Sequence, residues 1–84
     1  MRLNLIQEAL KKKKIKYDYT EVDGCGSIDF MFRGLKFHIW EYEDHAWGVE
    51  TNVFDAGRSQ DIEDNYEEVI AGEILSWPDM LPGS

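Results

Sequence analysis

The sequence predicts an α+β domain: an N-terminal helix, an antiparallel sheet of about four strands in meander order, and a C-terminal helix, with both helices on one face of the sheet. Three observations predict it. Apolar residues recur at helical spacing near both ends, they alternate with polar ones in between, and the alternating runs are joined by hairpin-length links. Eighty-four residues is the length of one domain, expected over 1–77 as α-β-β-β-β-α, with a loose tail over 78–84.

The first helix runs from Asn4 through about Lys13. Leu3, Ile6, Ala9 and Leu10 form its stripe, and Asn4 with Gln7 has the spacing of a capping box. Lysines 11 to 14 have a local reason, because cations in the last turn oppose the negative end of the helix dipole. The other reading of that run is a nucleic-acid or membrane arm, for which an otherwise acidic body is unsuited. From Ile15 the period becomes two, with Ile15, Tyr17 and Tyr19 on one side, and Asp23-Gly24-Cys25-Gly26 then supplies turn residues. Ile28, Phe30 and Phe32 alternate next. A two-residue turn at Arg33-Gly34 would set Phe32 opposite Leu35, Phe30 opposite Phe37 and Ile28 opposite Ile39, which places six apolar residues on one face of a hairpin over 27–42.

A three-residue loop, Glu43-Asp44-His45, would then pair Ile39 with Val49 and Phe37 with Thr51, keeping Val49 and Val53 with the core. A two-residue loop would turn Trp47 and Val49 to the other face. Residues 55–60 read as a loop. Ile62, Tyr66, Val69, Ile70, Ile74 and Trp77 form the stripe of the second helix, with a capping box at Asp64 and Glu67 and a stop at Pro78. The second sheet face would carry Met31, Lys36, His38, Trp40 and Tyr42 with Asp29 and Glu50, an aromatic strip rimmed by charge of the kind that marks interaction sites.

Charge is distributed unevenly along the chain. Residues 1–20 hold Arg2, Lys11 to Lys14 and Lys16 against Glu8 and Asp18, net +4, whereas residues 21–84 are net −12. That potential favours a basic protein as partner and disfavours nucleic acid. Eleven aromatics argue against disorder. Cys25 is the only cysteine, which fits a reducing, cytoplasmic setting, and no apolar run of signal-peptide or membrane-span length occurs.

No motif for chemistry emerges. His38 to His45 holds two imidazoles and three carboxylates, but the strand period puts His38 with Trp40 and Tyr42 and sends Glu41 and Glu43 to the opposite side, so convergent metal ligation is not expected. Cys25 lacks a base to activate it and a resolving partner, and Ser59 lacks a nucleophile-elbow setting. The expectation is therefore no catalysis, no cofactor and no metal; a small enzyme or metal-binding protein using His38, His45 or Cys25 is the reading that this disfavours. Asp61, Glu63, Asp64, Glu67 and Glu68 exceed what a helix N-terminus needs, and with Glu41, Glu43 and Asp44 they form a candidate docking surface joined by Trp40, Tyr42 and His38. In size and charge, though in no residue motif, the chain resembles the small acidic inhibitors that phages and mobile elements direct against restriction or CRISPR nucleases. That resemblance implies carboxylates competing for the Arg and Lys that otherwise hold phosphates. The alternative is an intracellular adaptor or homodimer subunit that uses the aromatic strip.

Overall fold

The computed structural model describes residues 2–78. Met1 and 79–84, which include most of the expected tail, lie outside the described residues. The order is α1 (Asn4–Lys12), β1 (Tyr17–Val22), β2 (Cys25–Phe32), β3 (Leu35–Asp44), β4 (Ala46–Thr51), β5 (Gln60–Ile62) and α2 (Tyr66–Ser76). The strands pair antiparallel in chain order as one five-stranded meander. One buried cluster takes Ile6, Ala9 and Leu10 from α1, Ile70, Ala71 and Ile74 from α2, and Ile28, Phe30, Ile39 and Val49 from one face of the sheet. Each buried Leu, Ile, Val or Phe side chain contributes about 1.5–3 kcal/mol.

Neither expected capping box forms. Leu3 and Asn65 take the N-cap positions in left-handed geometry, at φ 56° and 52°, without side-chain caps. Gln7 turns inward instead, donating to the Arg2 carbonyl at 2.7 Å and accepting from the Tyr17 hydroxyl at 2.9 Å. Glu67 accepts from the Leu5 N–H at 3.2 Å, so a carboxylate of α2 serves an otherwise unpaired donor at the start of α1. The end of α1 is a Schellman turn: Ile15 N–H bonds to the Leu10 carbonyl and Lys14 N–H to that of Lys11, with Lys14 at φ 60°.

Asp23-Gly24 and Arg33-Gly34 both have positive φ at both residues, as two-residue hairpin turns require. Cys25 and Gly26, expected in the first turn, therefore already belong to β2. The predicted register of the second hairpin is observed, with Phe32 opposite Leu35, Phe30 opposite Phe37 and Ile28 opposite Ile39. Leu35, at the hairpin end, is exposed.

The link from β3 to β4 differs from the expected loop. The chain reverses at His45, φ 70°, and pairing continues to Asp44 opposite Ala46, so Ile39 faces Thr51 and Glu41 faces Val49. The register is moved by two residues, which leaves every side chain on its expected face; Val49 and Val53 are core residues. The observed register sets Gly48 opposite Tyr42. A Cβ on Gly48 would stand 2.9 Å from Cζ and Oη of Tyr42, so the tyrosine ring lies where only glycine leaves room.

Beyond β4, Asn52 takes over the role of a strand along β3. Its Oδ1 accepts from His38 N–H at 2.9 Å and its Nδ2 donates to the Lys36 carbonyl at 3.0 Å. The fifth strand is the other departure. Ile62, expected on a helix, sits in β5 opposite Val49, and α2 begins only at Tyr66. Three residues are too few to show a period of two, so Ile62 reads as part of the helical stripe that follows it. Val69, expected in that stripe, is exposed, whereas Trp77 packs on Phe32 and Phe37 with ring centroids 4.8 and 5.2 Å away.

Candidate functional site

Strand pairing sets out the open sheet face row by row. One row runs Ser27, Trp40, Glu50, Asp61 across β2 to β5, and the next runs Asp18, Asp29, His38 across β1 to β3. Trp40 is 43% exposed at the centre of the first. Its indole N–H donates to Asp29 Oδ1 at 3.1 Å, and the His38 ring lies 4.3 Å from it, centroid to centroid. The tryptophan is thus oriented by two neighbours and still open to a partner. Met31, also exposed, stands with Lys16 and Lys36 at the other end, where an open groove of about 780 Å³ runs past Asp18 and Asp29.

Tyr42 lies on the same face, half-buried. Its phenol is held above its ordinary value by loss of water contact and then by the carboxylates of Asp61, Glu63, Asp44 and Glu50. The fold therefore brings together Trp40, Tyr42 and His38 with Asp44, Asp61 and Glu63 of the expected site. Asp29 and Glu50, which strand parity puts on this face, and Asp18 complete it.

Other expected members lie elsewhere. Glu43 sits opposite Trp47 on the helix-bearing side of the β3–β4 hairpin, Asp64 is exposed in the link before α2, and Glu68 is exposed on α2. Glu67 faces α1. Glu41 is the main correction: its side chain is fully buried, so it is not part of a docking surface. It accepts from Arg2 Nε at 2.6 Å and Nη2 at 2.9 Å, from Gly26 N–H at 2.9 Å and from the Tyr66 hydroxyl at 2.5 Å. Burial opposes its charge, but Arg2, Gly26 and Tyr66 together outweigh it and hold the carboxyl below the usual glutamate value. Burial and the bond to Glu41 push the Tyr66 phenol up to about 12. The same Arg2 guanidinium lies 4.2 Å from the Trp47 ring centroid.

Two arrangements bear on chemistry. Ser59 Oγ lies 3.0 Å from His38 Nε2, and Glu50 Oε2 lies 3.7 Å from that same nitrogen. A serine–histidine–acid relay needs the carboxylate on the opposite ring nitrogen, so these three do not form one. His45 stands almost wholly exposed at its turn, 3.7 Å from Asp44, and Cys25 is half-buried opposite Val22. Among the described residues no three His, Cys, Asp or Glu side chains are grouped to hold a metal ion, and no helix is long and apolar enough to cross a membrane.

Fold and face together define a class: a small α+β domain whose meander sheet is packed on one side and presents acids and aromatic rings on the other. No protein-family model matches the chain, and no curated protein or solved structure matches it either.

Proposed function

We propose that the chain is a small, non-catalytic binding module that docks a basic protein surface on its open sheet face. One observation carries this reading: two pairs of carboxylates, Asp18 with Asp29 and Glu50 with Asp61, stand directly opposite each other across adjacent strands, on either side of exposed Trp40. Like charges in direct cross-strand pairs disfavour folding. Solubility alone would be served by acids placed apart, whereas a partner's Lys and Arg would relieve both pairs. Where that partner is a nucleic-acid-binding enzyme, these carboxylates compete with phosphates for the same cations, which is inhibition by occupancy. The aromatic strip would also suit an adaptor or a homodimer, but symmetric pairing sets one acid-rich face against its copy, so the basic partner is favoured.

The test compares the wild-type chain with the variant Asp18→Asn, Asp29→Asn, Glu50→Gln, Asp61→Asn, each immobilised and exposed to extract of the native cell at low and high salt. The wild type should retain a basic protein that salt releases, and the variant, folded by circular dichroism, should not. Retention of the same protein by both chains, or binding indifferent to salt, overturns the reading.

A further inference from the structure

We infer that the open face selects arginine over lysine, seating a guanidinium of the partner on the indole of Trp40 and against the carboxylate of Glu50; this rests on the basic-partner reading above. The molecule already contains the same combination on its other side. There Arg2 lies 4.2 Å from the centroid of the Trp47 ring while its Nε and Nη2 hold the two oxygens of Glu41. Trp40 and Glu50 are the same two residue types, directly opposed where Trp47 and Glu41 are diagonal. The residue beside both is His38, its ring 4.3 Å from the indole, centroid to centroid, and its Nε2 3.7 Å from Glu50 Oε2, which leaves the arginine to come from a partner.

The placement is suited to it. Trp40 and Glu50 are directly opposed on β3 and β4, so their Cβ atoms are separated by about 4.5–5.5 Å, and Asp61 is one strand further, about 4.8 Å beyond. A planar cation over the indole is therefore within reach of the first carboxylate and close to the second. His38 packs against the ring and Asp29 holds its N–H, so little side-chain freedom remains to be lost on binding. The Glu50 side chain remains 45% exposed. An ammonium would meet the same carboxylates as a point charge. It would lack the plane that stacks and the fork that bonds twice, and this difference is what makes arginine the better fit.

Two short blocked peptides test this, one with two arginines spaced by glycines and its lysine counterpart, each titrated into the 15N-labelled chain at low salt. The Trp40 indole N–H resonance should move and saturate, with affinity for the arginine peptide roughly tenfold the greater. Trp40→Leu should bring the arginine peptide down to the lysine level, and Glu50→Gln should weaken both peptides with the amide spectrum otherwise kept. Equal affinities in the wild type, or an arginine preference that survives Trp40→Leu, overturn the inference while leaving a basic partner intact. If neither peptide binds yet a basic protein is still retained in a salt-sensitive way, only the arginine assignment falls; if neither result is obtained, both readings fall.

Discussion

Arg2 and Glu41, 39 positions apart in the chain, meet as a two-pronged ion pair in which the carboxylate is fully buried and the guanidinium half exposed. The pair ties the segment before α1 to the centre of β3. Four further bonds anchor it: Arg2 N–H donates to the Tyr19 hydroxyl at 2.8 Å, Arg2 carbonyl accepts from Gln7, and both Gly26 N–H and the Tyr66 hydroxyl donate to Glu41. Leu3, buried in the core although its φ is 56°, shows how firmly this entry to the helix is held.

Removing one partner of such a pair leaves the other without compensation. Arg2→Met should cost on the order of 3 kcal/mol in chemical denaturation, because Glu41 would keep its burial and lose its cation. Glu41 has a folded pKa below its unfolded one, so its contribution is complete above the ordinary carboxyl value of 4.5 and is lost as pH falls through the depressed value. Wild-type stability should therefore drop in acid more steeply than that of Glu41→Gln, as measured by urea midpoints across pH 3–6 (roughly the carboxyl range). Equal slopes would deny the ion pair that role.

Gly48→Ala should destabilise the domain by about 1–3 kcal/mol, since the added methyl meets the Tyr42 ring at 2.9 Å and the Ile62 carbonyl oxygen at 3.1 Å. Combining it with Tyr42→Ala should recover part of the loss relative to the sum of the single changes, the Ile62 contact remaining. Thermal unfolding of the four proteins in this cycle measures the coupling. Strict additivity would show that ring and glycine do not interact.

Lys14→Gly should stabilise the chain. Lys14 occupies the left-handed position of the Schellman turn that glycine adopts without a Cβ penalty, and relieving this is worth about 1 kcal/mol. A rise in melting temperature of roughly 4–8 °C is expected for a domain of this size. A fall would mean that the lysine side chain contributes more than its backbone strain costs.

Much of this architecture is legible in the residues because alternation is a local property. The hairpin at Arg33-Gly34 could be read to its register, since a turn with two positive-φ positions leaves one alignment that keeps Phe30, Phe37, Ile28 and Ile39 together. The same parity places Trp40, His38 and Tyr42 on the open face, and it also turns Glu41 inward beside Ile39. A buried acid requires a cation, so the pairing with Arg2 had a trace in the pattern, but nothing local states that residue 2 would supply it. β5 was hidden because Ile62 satisfies a helical period as well as it satisfies Val49 across a strand.

By itself, then, the sequence determined the order of the two helices and the first four strands and the face that residues of the Arg33-Gly34 hairpin take, because turn chemistry and side-chain period act over a few neighbouring positions. The tertiary structure decided which acids are exterior and which are interior, the two-residue shift that lays Tyr42 across Gly48, and the opposed carboxylates beside Trp40. Those depend on which segments meet after the chain closes, and a contact between residues 2 and 41, or 50 and 61, leaves no periodic mark on either.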